Sequence, residues 1–178
     1  MILWFIIYTT HQGIEKALET GLPELFDFFI VESLRIEDKK NSKSDAEIKY
    51  TLLRMLALCM NIYGKTEIAK DDVVTFLDSV KSNIAISYIS KANIEDLYDR
   101  ALLIPNENSV QFFNTEIQEF LASKEVIHLG KASQILFDVA YDSNLNEFKP
   151  FWKNTIKFII EQEISVQSMA HRVIEIDL

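Results

Sequence analysis

Apolar residues recur along this chain mostly at intervals of three and four, the spacing that lines one face of an α-helix. Leu22, Leu25, Phe26, Phe29 and Ile30 make the first clear stripe, with Pro23 where a first helical turn tolerates it. The period is lost over RIEDKKNSKSD, residues 35–45, which reads as a frayed helix end and a solvated loop. Ser44 and Glu47 then match the S-x-x-E capping box. Behind them Ile48, Leu52, Met55, Leu56, Cys59, Met60 and Tyr63 trace one long helical face, and Gly64 stands where a helix would end. Ala69, Val73, Phe76, Leu77 and Val80 predict a further helix, with Asp71 and Asp72 placed to complement its dipole. NIAISYIS, residues 83–90, fits strand or helix equally, and Ile94, Leu97, Tyr98 and Ala101 give a third helical stripe.

The period changes after that. LLI at 102–104, the turn PNEN at 105–108 and VQFF at 110–113 read as two short strands around a Pro/Asn turn. Three short helices followed by a hairpin is the order of a winged-helix domain. From Thr115 the spacing is helical again, with Thr115 and Gln118 as a second capping-box pair and Ile117, Phe120 and Leu121 facing inward. Three more stripes follow: Ile135, Leu136, Val139 and Ala140; then Phe148, Trp152, Ile156, Ile159 and Ile160 after Pro150; then Val166, Met169, Ala170, Val173 and Ile174. The last third is therefore expected to be all helix. The predicted architecture is mainly α, a winged-helix lobe at 44–127 between a helical lid segment at 1–43 and a helical segment at 128–178.

Composition narrows the chemistry. Of 178 residues 48% are hydrophobic and only four are glycine and three proline, the profile of an ordered helical chain. A net charge of −9 opposes the counterion-release attraction on which nucleic-acid binders rely. The third helix, KANIEDLYDRA, would present Glu95, Asp96 and Asp99 to phosphates, so this winged helix suits packing between domains better than reading DNA. Cys59, the single cysteine, has apolar neighbours and reads as a buried thiol in a reducing cytoplasm. MILWFIIY at the N-terminus has eight residues, far short of a bilayer span, and no membrane association is expected.

Candidate catalytic chemistry is thin. Gly64-Lys65-Thr66 looks like the tail of a phosphate loop, but Cys59 stands where its first glycine is needed and a helix precedes it in place of a strand. The helix-ending reading of Gly64 is preferred. His11, His128 and His171 lie far apart with no metal-ligand spacing, and the pairs Glu37-Asp38, Asp71-Asp72 and Glu95-Asp96 sit on polar faces where solvation accounts for them. No catalytic or metal-binding residue is assigned.

One block is more distinctive. FFNTEIQEFLAS, residues 112–123, resembles the F-x-H-x-x-x-Q-E-F-L-A-A signature at the winged-helix end of NACHT-type STAND NTPases, which include NOD-like receptors and bacterial anti-phage sensors. LPELFDFFIVESLRIEDKK (22–40) is similar to the segment opening that family's helical lid, and LLRMLALCMNIYGKTEIAKDDV (52–73) to its first winged-helix helices. IEDLYDRALLIPNENSVQFF (94–113) is similar to the family's L-x-x-S-G-L-L segment with its wing, and FKPFWKNTIKFI (148–159) to its tryptophan-bearing helix. The resemblance implies a regulatory, non-catalytic part of an ATP-dependent switch, working in a cytoplasmic signalling or defence pathway. The chain itself would hold no cofactor. ADP or ATP would belong to an NTPase domain, packed in cis or in trans, with homo-oligomerisation on activation. In the family the winged-helix histidine reaches the phosphates of ADP. Asn114 holds that position here, where it can donate only a neutral hydrogen bond and is better suited to cap the following helix than to sense a phosphate. Glu119 matches the family's glutamate, or is simply a solvated or ion-paired carboxylate. The rival expectations are a stand-alone winged-helix DNA regulator and a helical interaction scaffold.

Overall fold

A computed structural model describes residues 22–35, 43–81, 95–98, 102–130 and 132–162. Expectations for MILWFIIY, the loop at 36–42, NIAISYIS, Ile94, Ala101, and the stripe from Val166 to Ile174 fall outside those residues, as do His11, His171 and the pair Glu37-Asp38.

The first stripe folds as α1, Leu22–Arg35. Phe26, Phe29, Ile30 and Leu34 are buried on its inner face, while Leu22 at the first turn is exposed. Helix α2 runs from Lys43 to Ile62 and buries Leu52, Leu53, Leu56, Ala57 and Met60. It begins one residue before Ser44, so Ser44 lies inside the first turn and is not the N-cap expected of it. The other end matches expectation. Gly64 adopts φ +61, its N–H donates to the Asn61 carbonyl at 3.1 Å, and the Lys65 N–H donates to the Met60 carbonyl at 2.8 Å. That pair of bonds is a Schellman closure, which needs a left-handed residue and so favours glycine. Tyr63, assigned to the apolar face, falls beyond the helix and is 73% exposed.

A strand the spacing does not predict follows. Glu67–Ala69 forms β1, so Ala69 is an exposed strand residue and not the first apolar position of the next helix. Three residues are too few to show an alternation of their own. Their conformation is set by pairing with a distant partner, Ile68 lying opposite Val110. Helix α3, Lys70–Lys81, begins immediately and buries Val73, with Asp71 and Asp72 exposed in its first turn as expected. Residues 95–98 form a helical turn that buries Leu97. Asp96 there is not simply solvated. Its Oδ2 lies 2.6 Å from Nζ of Lys49, a lysine whose side chain is buried in α2.

Strands β2 (Leu103–Pro105) and β3 (Ser109–Phe112) form the expected hairpin, each within a residue of its predicted place. With β1 they make a three-stranded antiparallel sheet in the order β1–β3–β2. Helix, strand, helix, helical turn, strand, strand is the winged-helix order, and the molecule is mainly α. In β3, Val110 and Phe112 point into the core and alternate with half-exposed neighbours. Glu67 ties the wing together from β1, accepting hydrogen bonds from Ser109 and from Asn106 Nδ2, which hold its carboxyl below the usual range.

Helix α4, Thr115–His128, leaves β3 after two residues. Gly130 closes it with φ +66. The chain then departs from the expected all-helical course. A short α5 (Ala132–Ile135) widens into one π-helical turn at Leu136–Ala140, and Tyr141–Asp142 (β4) pairs with Glu147–Phe148 (β5) in a two-stranded hairpin. The turn chemistry decides this. Asp142 Oδ1 accepts from the backbone N–H groups of Asn144 and Leu145, and Asn146 takes φ 58, a conformation asparagine tolerates better than most residues. Phe148, expected on a helix, is thus a strand residue. Pro150 opens a 3-10 turn to Trp152, and α6 runs from Lys153 to Gln162. Trp152, Ile156 and Ile159 are buried as expected, but Ile160 is exposed.

One hydrophobic cluster joins α1, α2, α4, α6 and the sheet. Its centre is an aromatic trio, Phe26, Phe120 and Phe158, with ring centroids 5.6, 5.9 and 5.7 Å apart. Tilted and edge-on arrangements of this kind contribute about 0.5–1.5 kcal/mol per pair beyond burial.

Candidate functional site at the strand to helix junction

The block FFNTEIQEFLAS spans the end of β3 and the first two turns of α4. Asn114 sits between the two elements in an extended conformation, and its Oδ1 accepts from the Glu116 N–H at 2.7 Å. Its own carbonyl accepts from the Gln118 N–H at 3.2 Å. Asn114 is therefore the N-cap. That is the cap reading expected of Asn114, whereas Thr115, to which the capping-box pairing with Gln118 assigns the role, is the first helical residue. A side-chain oxygen satisfying one orphan donor of a helix start is worth about 1 kcal/mol.

Capping occupies the acceptor of the Asn114 amide, and its Nδ2 has no partner among the described residues. What remains is one neutral donor at the start of a 14-residue helix. Glu116 stands in the first turn and already complements the helix dipole, which disfavours a second anion there.

Gln118 does not reach back to the cap. Its side chain turns inward, where Nε2 donates to Asn61 Oδ1 at 3.2 Å and to the Lys65 carbonyl at 2.9 Å. Asn61 in turn donates through Nδ2 to Thr155 Oγ1 at 2.7 Å. Asn61 and Thr155 are fully buried and Gln118 nearly so, and Gln118 Oε1 has no protein partner. Three helices, α2, α4 and α6, thus meet at one polar joint. Inside a low-dielectric core each such bond is strengthened, and losing one member leaves the others unpaired at a cost of about 1–3 kcal/mol.

Glu119, which matches the family's glutamate or else reads as a solvated or ion-paired carboxylate, is buried. Asn154 Nδ2 on α6 donates to its Oε2 at 3.0 Å. Burial, reinforced by the nearby Glu116 charge and opposed by the Asn154 bond, pushes its carboxyl above the usual range. One turn on, Ser123 Oγ accepts from Gln162 Nε2 at 2.8 Å and donates to the Phe120 carbonyl. Every residue from Ile117 to Ser123 is buried. The block that resembles the family signature is therefore a packing unit in this chain.

The far side of α4 carries charge. Arg54 Nε and Glu125 Oε2 lie 3.5 Å apart without hydrogen-bond geometry, and the Arg54 guanidinium stands 5.4 Å from the Tyr50 ring centre. The Tyr50 hydroxyl donates to Asp27 on α1, whose Oδ1 is 3.7 Å from Lys124 Nζ. Burial first, then the Asp27 bond and charge, raise the Tyr50 hydroxyl far above its ordinary value. A cavity of about 410 Å³ lies beside Tyr50 and Arg54 between α1 and α2, and a groove of about 580 Å³ runs along α6 beside Phe148 and Pro150.

No family model, curated protein or solved structure matches the chain. Among the described residues no group of three or more His, Cys, Asp or Glu could hold a metal, and no helix is long and apolar enough to cross a membrane. Cys59 is half-buried, with burial raising its thiol above the ordinary range, and His128 is exposed at the end of α4.

Asn61, Asn154, Thr155 and Gln162 are the participants the sequence reading passes over. Two of them carried a signal. Asn61 continues the spacing of the buried pair Leu53 and Ala57, and Thr155 falls between Trp152 and Ile159 at helical intervals. A polar residue at an apolar helical position marks either an error of phase or a buried hydrogen bond.

Proposed function

We propose that this chain is a regulatory, non-catalytic lobe of an ATP-dependent switch of the STAND NTPase kind, packing on and gating a nucleotide-binding domain supplied in cis or in trans. One observation carries the reading most directly. The helix that follows the wing, α4, is the central element of the core, packed on α2 along its length and against α1 and α6. A winged helix joined in this way to flanking helices on both sides suits a rigid body that rotates as a unit. DNA reading is disfavoured by the charge of −9 and by the acidic turn at 95–98, where Asp96 is engaged with Lys49. ADP or ATP belongs to the partner domain in this reading, and Asn114 contributes a helix cap and at most one neutral donor toward it.

The test supplies a P-loop NTPase domain encoded beside or fused to this chain and follows release of bound ADP. Slower release in the presence of the chain supports the reading. No complex, and no change in release, would remove it. Asn114→Ala in the same assay reports separately on the cap residue, because unchanged retention shows that the packing of the lobe acts without a contact from position 114.

A further inference from the structure

The polar joint below the cap has a consequence of its own. Gln118 lies one turn into α4, its N–H held by the Asn114 carbonyl and its side-chain amide held by the Lys65 carbonyl and by Asn61. Lys65 is the residue whose N–H completes the closure of α2, two positions before β1 begins. Asn61 passes the connection to Thr155 in α6. A short chain of hydrogen bonds therefore runs from the start of α4 to the entrance of the wing and to α6. At Asn61, Gln118 and Thr155 it is inaccessible to solvent.

We infer that the Asn61–Gln118–Thr155 joint is a coupling device, transmitting a disturbance of the first turn of α4 to both the β1 strand and α6. The physical basis is directional. An apolar contact lets two helices slide by fractions of an ångström at little cost, whereas a buried amide that loses its acceptor is left unpaired in a medium without water. Displacing the first turn of α4 must therefore carry Asn61 and Thr155 with it or break bonds that nothing replaces. Gln118 also differs from the other bridges to α6. Asn154–Glu119 and Gln162–Ser123 each join two helices, while Gln118 and Asn61 together join three elements and the loop before β1. Networks of packed and hydrogen-bonded groups carry such coupling between elements.

The inference takes Asn114 as its starting point from the proposed function, yet its test uses the chain alone, so either can fail without the other. Hydrogen exchange of the intact protein is followed residue by residue in the wild type, in Asn114→Ala, and in Asn114→Ala combined with Thr155→Val or with Gln118→Leu. Loss of the cap is expected to speed exchange about fivefold in the first turn of α4 and also at 65–69 and 154–162. With Thr155→Val the effect at 154–162 disappears while that at 65–69 persists, and with Gln118→Leu both disappear. Thr155→Val removes a single hydroxyl and keeps the reading available should Gln118→Leu not fold. An Asn114→Ala effect confined to the first turn of α4 in the otherwise wild-type chain overturns the inference, and so does one that spreads equally whether or not the joint is intact.

Discussion

The three-stranded sheet and the β4–β5 hairpin are both made of very short antiparallel strands, yet they stand in opposite relations to the core. In β3, Val110 and Phe112 are buried against the main cluster, and the strand runs straight into α4. Neither β4 nor β5 has a buried residue, and Leu145 in the turn is 67% exposed. The hairpin is held by its own aromatic group, Phe137, Tyr141 and Phe148, with centroids 5.4–5.8 Å apart, and by Lys149 Nζ donating to the Val139 carbonyl. A two-stranded hairpin has little stability alone. The sheet is thus a part of the global fold, whereas the hairpin is a local structure resting on it.

The largest expected effect comes from the element on which the sheet's side of that comparison depends. Phe120→Ala empties the centre of the aromatic trio and should cost about 3–5 kcal/mol, lowering the denaturation midpoint for every probe together. Phe148→Ala acts on the other side. It should cost about 1–2 kcal/mol and speed hydrogen exchange at 136–149 selectively, with α2 and α4 as protected as before. Equal loosening of both regions would show that the hairpin belongs to the cooperative core after all.

A third effect depends on pH. Glu119 has its folded-state carboxyl raised above the unfolded value of about 4.3, so the folded state binds the proton more tightly than the unfolded state. Stability contributed by that proton is present at low pH and is lost as pH rises through the unfolded and then the folded value. At neutral pH the buried charge is a penalty. Glu119→Gln, which can still accept from Asn154, should therefore raise Tm at pH 7, by roughly 2–4 °C for each kcal/mol removed, and should converge on the wild type below about pH 4. The smallest effect is at the hairpin turn. Asn146 has φ 58 and its Oδ1 accepts from the Tyr141 hydroxyl at 2.5 Å, so Asn146→Gly keeps the conformation, loses one exposed bond and should change stability by at most about 1 kcal/mol, in contrast to a β-branched residue there, which would also strain the turn. Thermal melts of Asn146→Gly and Asn146→Val separate the two.

The same comparison explains what the sequence could reveal. Helices α1, α2, α4 and α6 are legible because their apolar residues fall at helical spacing, and the β2–β3 hairpin because Pro105 and Asn106 separate two short apolar runs. Strand β1 was hidden because three residues cannot display a period, and its form is imposed from Val110 at a distance. The β4–β5 hairpin was hidden because Val139, Ala140 and Phe148 happen to continue helical intervals, while the turn is decided by the bonds that the Asp142 side chain accepts and by the positive φ of Asn146. At the junction, Asn114 could be recognised as a cap, but Gln118 was assigned to the wrong partner. Spacing tells which residues share a helix face; it does not tell which of two neighbouring polar groups, the cap or Asn61, a glutamine will turn toward.

The central claim is that α4 is a shared spine, making the wing and its flanking helices one body. Native-state hydrogen exchange under increasing denaturant tests it most directly. The slowest amides of α2, α4 and α6 are predicted to merge into one opening free energy, with 141–148 exchanging well below it. Separate, lower opening of α6 or of α2 while α4 stays protected would contradict the account.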